Sequence, residues 1–94
     1  MKITVRPTPN PNALKFEVKG ATLTDERQLA YQSSREASGD ELASALFGIR
    51  GVETLLITPR WLSVSKHAAA DWDLLTESVE TLLHEIVGGA SDEA

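Results

Sequence analysis

Pro7, Pro9 and Pro11 alternate with Thr8, Asn10 and Asn12 near the start of the chain, and this run constrains the fold more than any other stretch. Each proline locks its own φ and pushes the preceding residue away from the helical region. No helix passes through such a segment, and few backbone donors remain in it to pair in a sheet. Asn10 and Asn12 add turn chemistry, because their side chains bond nearby backbone and they tolerate left-handed geometry. On either side the apolar residues alternate: Ile3 and Val5 before it, Leu14, Phe16 and Val18 after it. That period of two is the mark of half-buried strands. A strand over 2–6, a stiff connector over 7–12 and a second strand over 13–18 follow.

The rest of the chain reads with less uniform clarity. Residues 20–38 keep no period and read as a long loop, with a short extra strand near Arg27–Gln32 as the alternative. Ser38 and Glu41 fit a capping box, and Leu42, Ala45, Leu46 and Ile49 follow at helical spacing. Val52 to Thr58 is rich in strand formers, Pro59-Arg60 makes a tight turn, and Trp61 to Lys66 is the hairpin partner. Asp71 is placed to cap a last helix, with Asp73 in its first turn. Trp72, Leu75, Val79, Leu82, Leu83 and Ile86 then form one apolar stripe, and Gly88-Gly89 supplies the stop.

The order is strand, strand, helix, strand, strand, helix. The expected fold is α+β: a two-layer sandwich in which a four-stranded, mainly antiparallel sheet carries two helices on one face. The 94 residues are enough for one domain, expected over 1–90, with a loose tail over 91–94.

Charge is uneven along the chain. Residues 1–19 carry a balance of +3, residues 67–94 one of −7, and the net charge is −5. An acidic chain repels phosphate, so nucleic acid is an unexpected partner. The acidic end reads either as a surface for a basic protein or as a solvated helix face. No apolar run is long enough to span a membrane, and Met1 to Val5 lacks the apolar stretch of a signal peptide. The expected location is cytoplasmic, with no membrane partner.

The chain contains no cysteine, which removes disulfides, thiol nucleophiles and thiolate-held clusters. The serines sit in loop or capping contexts without a nucleophile elbow, and no glycine-rich phosphate loop opens a helix. No acid, base and nucleophile form a set, so an enzyme is not expected. His67, Asp71 and Asp73 lie close in sequence and offer imidazole and carboxylate ligands for iron or zinc. The plainer reading is a surface histidine beside two carboxylates at a helix start. Trp61 also has two readings. If Leu62 and Val64 face the helices, Trp61 lies on the wetter sheet face as an interaction anchor; otherwise it folds over the Pro59-Arg60 turn. The connector either fixes the hairpin alone or presents a preformed loop to a partner. Pro9, Asn10, Pro11, Asn12, Arg60 and Trp61 are the candidate contacts.

The run Thr8 to Phe16 resembles the N-terminal domain of Nfu/NifU-type iron–sulfur scaffold proteins. The resemblance continues through Leu46 to Val52, similar to the family's helix-to-strand joint. It continues again in Leu62-Ser63-Val64-Ser65-Lys66, and in Asp71-Trp72-Asp73-Leu74-Leu75 at the start of the last helix. One departure is Arg60-Trp61, where the family often has Asp-Phe. The resemblance implies a part in iron–sulfur cluster assembly or delivery. In that family a CxxC in a separate C-terminal domain holds the cluster. This chain is expected to stand without it, as an accessory domain that binds assembly or client proteins and carries no cofactor; the alternatives are direct iron binding through His67 and nearby carboxylates, or a general protein-interaction module on the same fold.

Overall fold

The computed structural model describes residues 1–88. In chain order the elements are β1 (Lys2–Pro7), β2 (Ala13–Lys19), β3 (Leu29–Tyr31), α1 (Glu41–Phe47), β4 (Val52–Ile57), β5 (Trp61–Lys66) and α2 (Trp72–Leu83), and a π-helical turn (His84–Gly88) extends α2. The α+β sandwich is the expected one. The strands form one sheet in the order β1-β2-β5-β4-β3, antiparallel throughout.

The sheet has five strands rather than the expected four. The addition is β3, within the segment where a short extra strand was the alternative. Three residues are too few for a period to show. Tertiary contacts make it a strand: Leu29 pairs with Ile57 and Tyr31 with Leu55, and the Tyr31 hydroxyl donates to Asp40 Oδ2 at 2.9 Å.

Alternation decides which face the helices cover. Phe16, Leu62 and Val64 are fully buried, as are Leu46 of α1 and Val79 and Leu83 of α2. Each large apolar side chain so buried contributes about 1.5–3 kcal/mol. Among the described residues, no helix covers the other sheet face.

Several local expectations shift. α1 is capped by Asp40, whose carboxylate accepts from Ala43 N, and not by Ser38. Asp40 is extended (φ −116°, ψ 113°) and adjoins the first helical residue, whereas Ser38 N donates to Arg35 O within a preceding turn. The segment 20–38 is also tied down at several points. Ala37 is fully buried, its carbonyl accepts from Ser44 Oγ, and Leu23 N donates to Pro59 O. Asp71 caps α2 as expected, accepting from Asp73 N at 2.8 Å. Trp72, which begins the apolar stripe, is only half-buried. Gly89 and the tail expected over 91–94 lie outside the described residues.

Candidate functional site

The connector comes first, because its neighbours show what it does. Thr8 Oγ1 donates within the turn, and Asn10 Oδ1 accepts from Asn12 N at 2.9 Å. Two side chains from the far end of the chain then close on it. Trp72 Nε1 donates to Pro11 O at 3.1 Å. Lys66, only 8% exposed, turns inward as β5 alternation requires. Its ammonium donates to Asn12 Oδ1, His67 O and Ala68 O at 3.2–3.3 Å and stands 5.5 Å from the Trp72 ring centre. Pro9, Asn10, Pro11 and Asn12 are thereby braced against β5 and α2.

Arg60 and Trp61 lie elsewhere. Asn12 meets Lys66 at the end of β5, whereas Trp61 begins that strand opposite Glu17. Six residues of strand place the two groups roughly 17 Å apart. The candidate contacts therefore form two places, not one patch.

The Trp61 end belongs to the open sheet face. Across β1 and β2, Lys2 lies opposite Lys19, Thr4 opposite Glu17, and Arg6 opposite Lys15; β5 continues these rows with Trp61 opposite Glu17 and Ser63 opposite Lys15. The Lys15 ammonium sits 4.6 Å from the Trp61 ring centre, a cation–π distance. Trp61 is half-buried and lies on the sheet face opposite that of Leu62 and Val64. Arg6 Nε donates to Glu17 Oε1 at 2.7 Å, and Lys15 stands 3.8 Å from the same carboxylate. The hydrogen bond from Arg6 is the chief cause that holds the Glu17 carboxyl below its ordinary range, and Arg6 is raised in return. Lys2, Arg6, Lys19, Arg60, Glu17 and Trp61 border a concavity of about 410 Å³. The cations Lys2, Arg6, Lys15 and Lys19 were not among the candidates read from the sequence. The positive balance of residues 1–19 was their signal, but only the β2–β5 pairing sets them around Trp61.

The candidate metal residues are only partly brought together. His67 and Asp71 border a groove of about 470 Å³ between the end of α1 and α2, beside Ile49, Leu74 and Leu75; Asp73 does not line it. His67 Nε2 stands 3.6 Å from a Glu53 carboxylate oxygen. Among the described residues, no group of three or more histidine or acidic side chains is placed to hold a metal ion. No helix among them is long and apolar enough to cross a membrane.

An antiparallel sheet with both helices on one face and a charged aromatic surface on the other defines a small, open-faced α+β domain. The chain belongs to the family described as the N-terminal part of the scaffold protein Nfu/NifU, whose model matches residues 3–89. It is 34% identical over 80 residues to the human mitochondrial NFU1 iron-sulfur cluster scaffold homolog, covering 84% of this chain and 31% of that protein. The solution structure of a NifU-like protein from Saccharomyces cerevisiae matches with a TM-score of 0.78 at 28% identity, over 89% of this chain and 76% of that one. The crystal structure of SAV1430 from Staphylococcus aureus shares the fold, with a TM-score of 0.72 at 22% identity over 88% and 99% of the two chains. The chain spans under a third of the length of the curated relatives it matches, 31% and 28% for two of them.

Proposed function

We propose that this chain is a non-enzymatic docking domain in iron–sulfur cluster assembly or delivery, and that it holds no cluster itself. Family membership and the scaffold proteins among its relatives support the pathway. The absence of cysteine from its sequence supports the second half, because thiolates are the usual ligands of such clusters. The observation that carries the docking reading is the helix-free sheet face around Trp61, where an aromatic anchor and several cations stand together. On this reading Arg60 and Trp61 meet the partner, while Pro9–Asn12 keep the far end of the sheet rigid.

The test is titration of the labelled chain with purified cluster-assembly scaffolds and with apo acceptor proteins. Trp61→Ala is expected to weaken binding and Pro9→Ala to leave it unchanged, both variants staying folded. Normal binding by Trp61→Ala to every partner refutes the surface assignment. Anaerobic reconstitution with iron and sulfide is expected to leave no visible cluster absorbance on the chain. Direct iron binding at His67, Asp71 and Asp73 is the competing reading, and among the described residues no third ligand is assembled beside the groove. Calorimetry with iron(II) separates the two: heat that vanishes in His67→Ala would favour the metal site.

A further inference from the structure

We propose that the open face of the β1–β2–β5 sheet takes an acidic, extended segment of another protein. The inference rests on the docking reading and names the chemistry of the occupant. Among the described residues, Lys2, Arg6, Lys15, Lys19 and Arg60 face it against the single carboxylate of Glu17, a surplus of +4 on a chain whose net charge is −5. Glu17 is already engaged by Arg6 and Lys15. Among the described residues, Lys2, Lys19 and Arg60 have no carboxylate within ion-pairing distance.

The placement of these cations is unfavourable in the free chain. Lys2 is directly opposite Lys19, and Arg6 directly opposite Lys15. Like charges facing each other across an antiparallel pair destabilise the hairpin. Glu17 bridges the second pair, but Lys2 and Lys19 share no carboxylate, a local conflict of the kind that marks functional surfaces. Carboxylates laid along the face remove it.

The dimensions select an extended peptide. Three strands by six or seven residues give a surface roughly 10 Å by 20 Å. A nucleic acid overruns such a patch and meets the acidic side of the molecule, where Asp73, Glu77 and Glu80 line α2. That opposite charge also orients an acidic partner: it is repelled from the helices and drawn to the sheet. A second copy offering its own α2 is the other acidic occupant. That contact joins unlike surfaces, so it builds a ring or an open chain of copies according to its rotation.

The experiment uses the full chain, labelled with ¹⁵N, and a blocked synthetic peptide of alternating Glu and Val. The two indole N–H signals are an internal comparison, since Trp72 is engaged with Pro11 O and lies off the open face. Saturable movement of the Trp61 indole and of the Lys2, Lys19 and Arg60 amides is expected, with the Trp72 indole still and the affinity falling with salt. Lys19→Glu and Arg60→Glu are each expected to weaken the peptide roughly tenfold, the order that follows when exposed ion pairs become like-charge contacts. Lys19→Glu is also expected to raise the urea midpoint of the free chain, because it removes the clash with Lys2. Equal movement with a Lys–Val peptide overturns the proposal. So does concentration-dependent movement of sheet and α2 signals without peptide, which assigns the face to a second copy. Movement with a cluster-assembly protein but not with the acidic peptide sinks the acidic occupant and leaves the docking reading standing. Stillness with both ends both.

Discussion

Lys66→Met tests the brace between the connector and the last helix. Methionine keeps the apolar stem and removes the ammonium, so three acceptors lose their donor: Asn12 Oδ1 at 3.3 Å, His67 O at 3.2 Å and Ala68 O at 3.3 Å. A hydrogen bond to a charged group is worth about 1.5–3 kcal/mol. These are long, and the exposed carbonyls of His67 and Ala68 recover water in the variant, so the lower end applies. Methionine also relieves the desolvation of a nearly buried charge, which runs the other way. The contact with Trp72 adds about 0.5–1 kcal/mol to the loss. The balance is a destabilisation of about 2 kcal/mol. In a domain of this size each kcal/mol moves the thermal midpoint by about 4–8 °C, so a fall of roughly 8–16 °C is expected. Urea unfolding of the wild type, Lys66→Met, Asn12→Ala and the double variant measures the loss and its coupling. A Lys66→Met midpoint at or above wild type, or strict additivity with Asn12→Ala, would show that the ammonium does not hold the connector.

Other substitutions probe other joints. Gly51 has φ +100°, and a Cβ there would lie 2.9 Å from Ala70 Cβ and 3.1 Å from Leu75 Cδ1; Gly51→Ala is expected to lose about 2–4 kcal/mol by backbone strain and overpacking, read from urea curves. Asp71→Ala removes the α2 cap and is expected to lose about 1 kcal/mol, with Asp71→Asn recovering most of it in the same assay. Tyr31 is the only tyrosine, and burial, followed by its hydrogen bond to Asp40, raises its hydroxyl above the ordinary value. The unfolded chain therefore loses this proton at lower pH than the folded one. The stability from the neutral phenol is full below the ordinary tyrosine pKa and is lost as pH rises through the raised one. Absorbance titration should give a midpoint above the ordinary value, lowered in Asp40→Asn and fully restored in denaturant; an ordinary midpoint in the folded chain would remove Tyr31 from this account.

The strands on either side of the connector were legible because period-two alternation is a local signal. Ile3, Val5, Leu14, Phe16, Leu62 and Val64 carry it within a few residues of one another. The Asp71 cap and the stripe of α2 were legible for the same reason. β3 was not, since Leu29 and Tyr31 become strand residues only when Ile57 and Leu55 arrive beside them. Ser38 and Asp40 are both good caps, but Ser38 is taken up in the preceding turn while Asp40, which also accepts from Tyr31 nine residues away, adjoins the first helical residue. Trp72 starts the apolar stripe, yet its indole N–H needs a partner and finds Pro11 O at the edge of the core. Trp61 was singled out from its alternation with Leu62 and Val64. Its cationic surroundings could not be, because they depend on which strand β2 chooses as its second neighbour.

The pairing of β2 with β5 has a consequence for how the molecule is made. Ala13 lies against Ser65 and Glu17 against Trp61, although more than forty residues separate β2 from β5 along the chain. Closing a loop of that length carries about 3 kcal/mol of chain entropy beyond its constant term. A hairpin forms within microseconds but is marginal alone, so the first one must wait for its neighbours. On a ribosome the apolar row of Leu14, Phe16 and Val18 stays uncovered until Lys66 has left the exit tunnel and the last helix has followed. Nascent-chain truncations ending before β5 should therefore be protease-sensitive throughout the first hairpin, and resistance should arrive there last, although those residues are synthesised first.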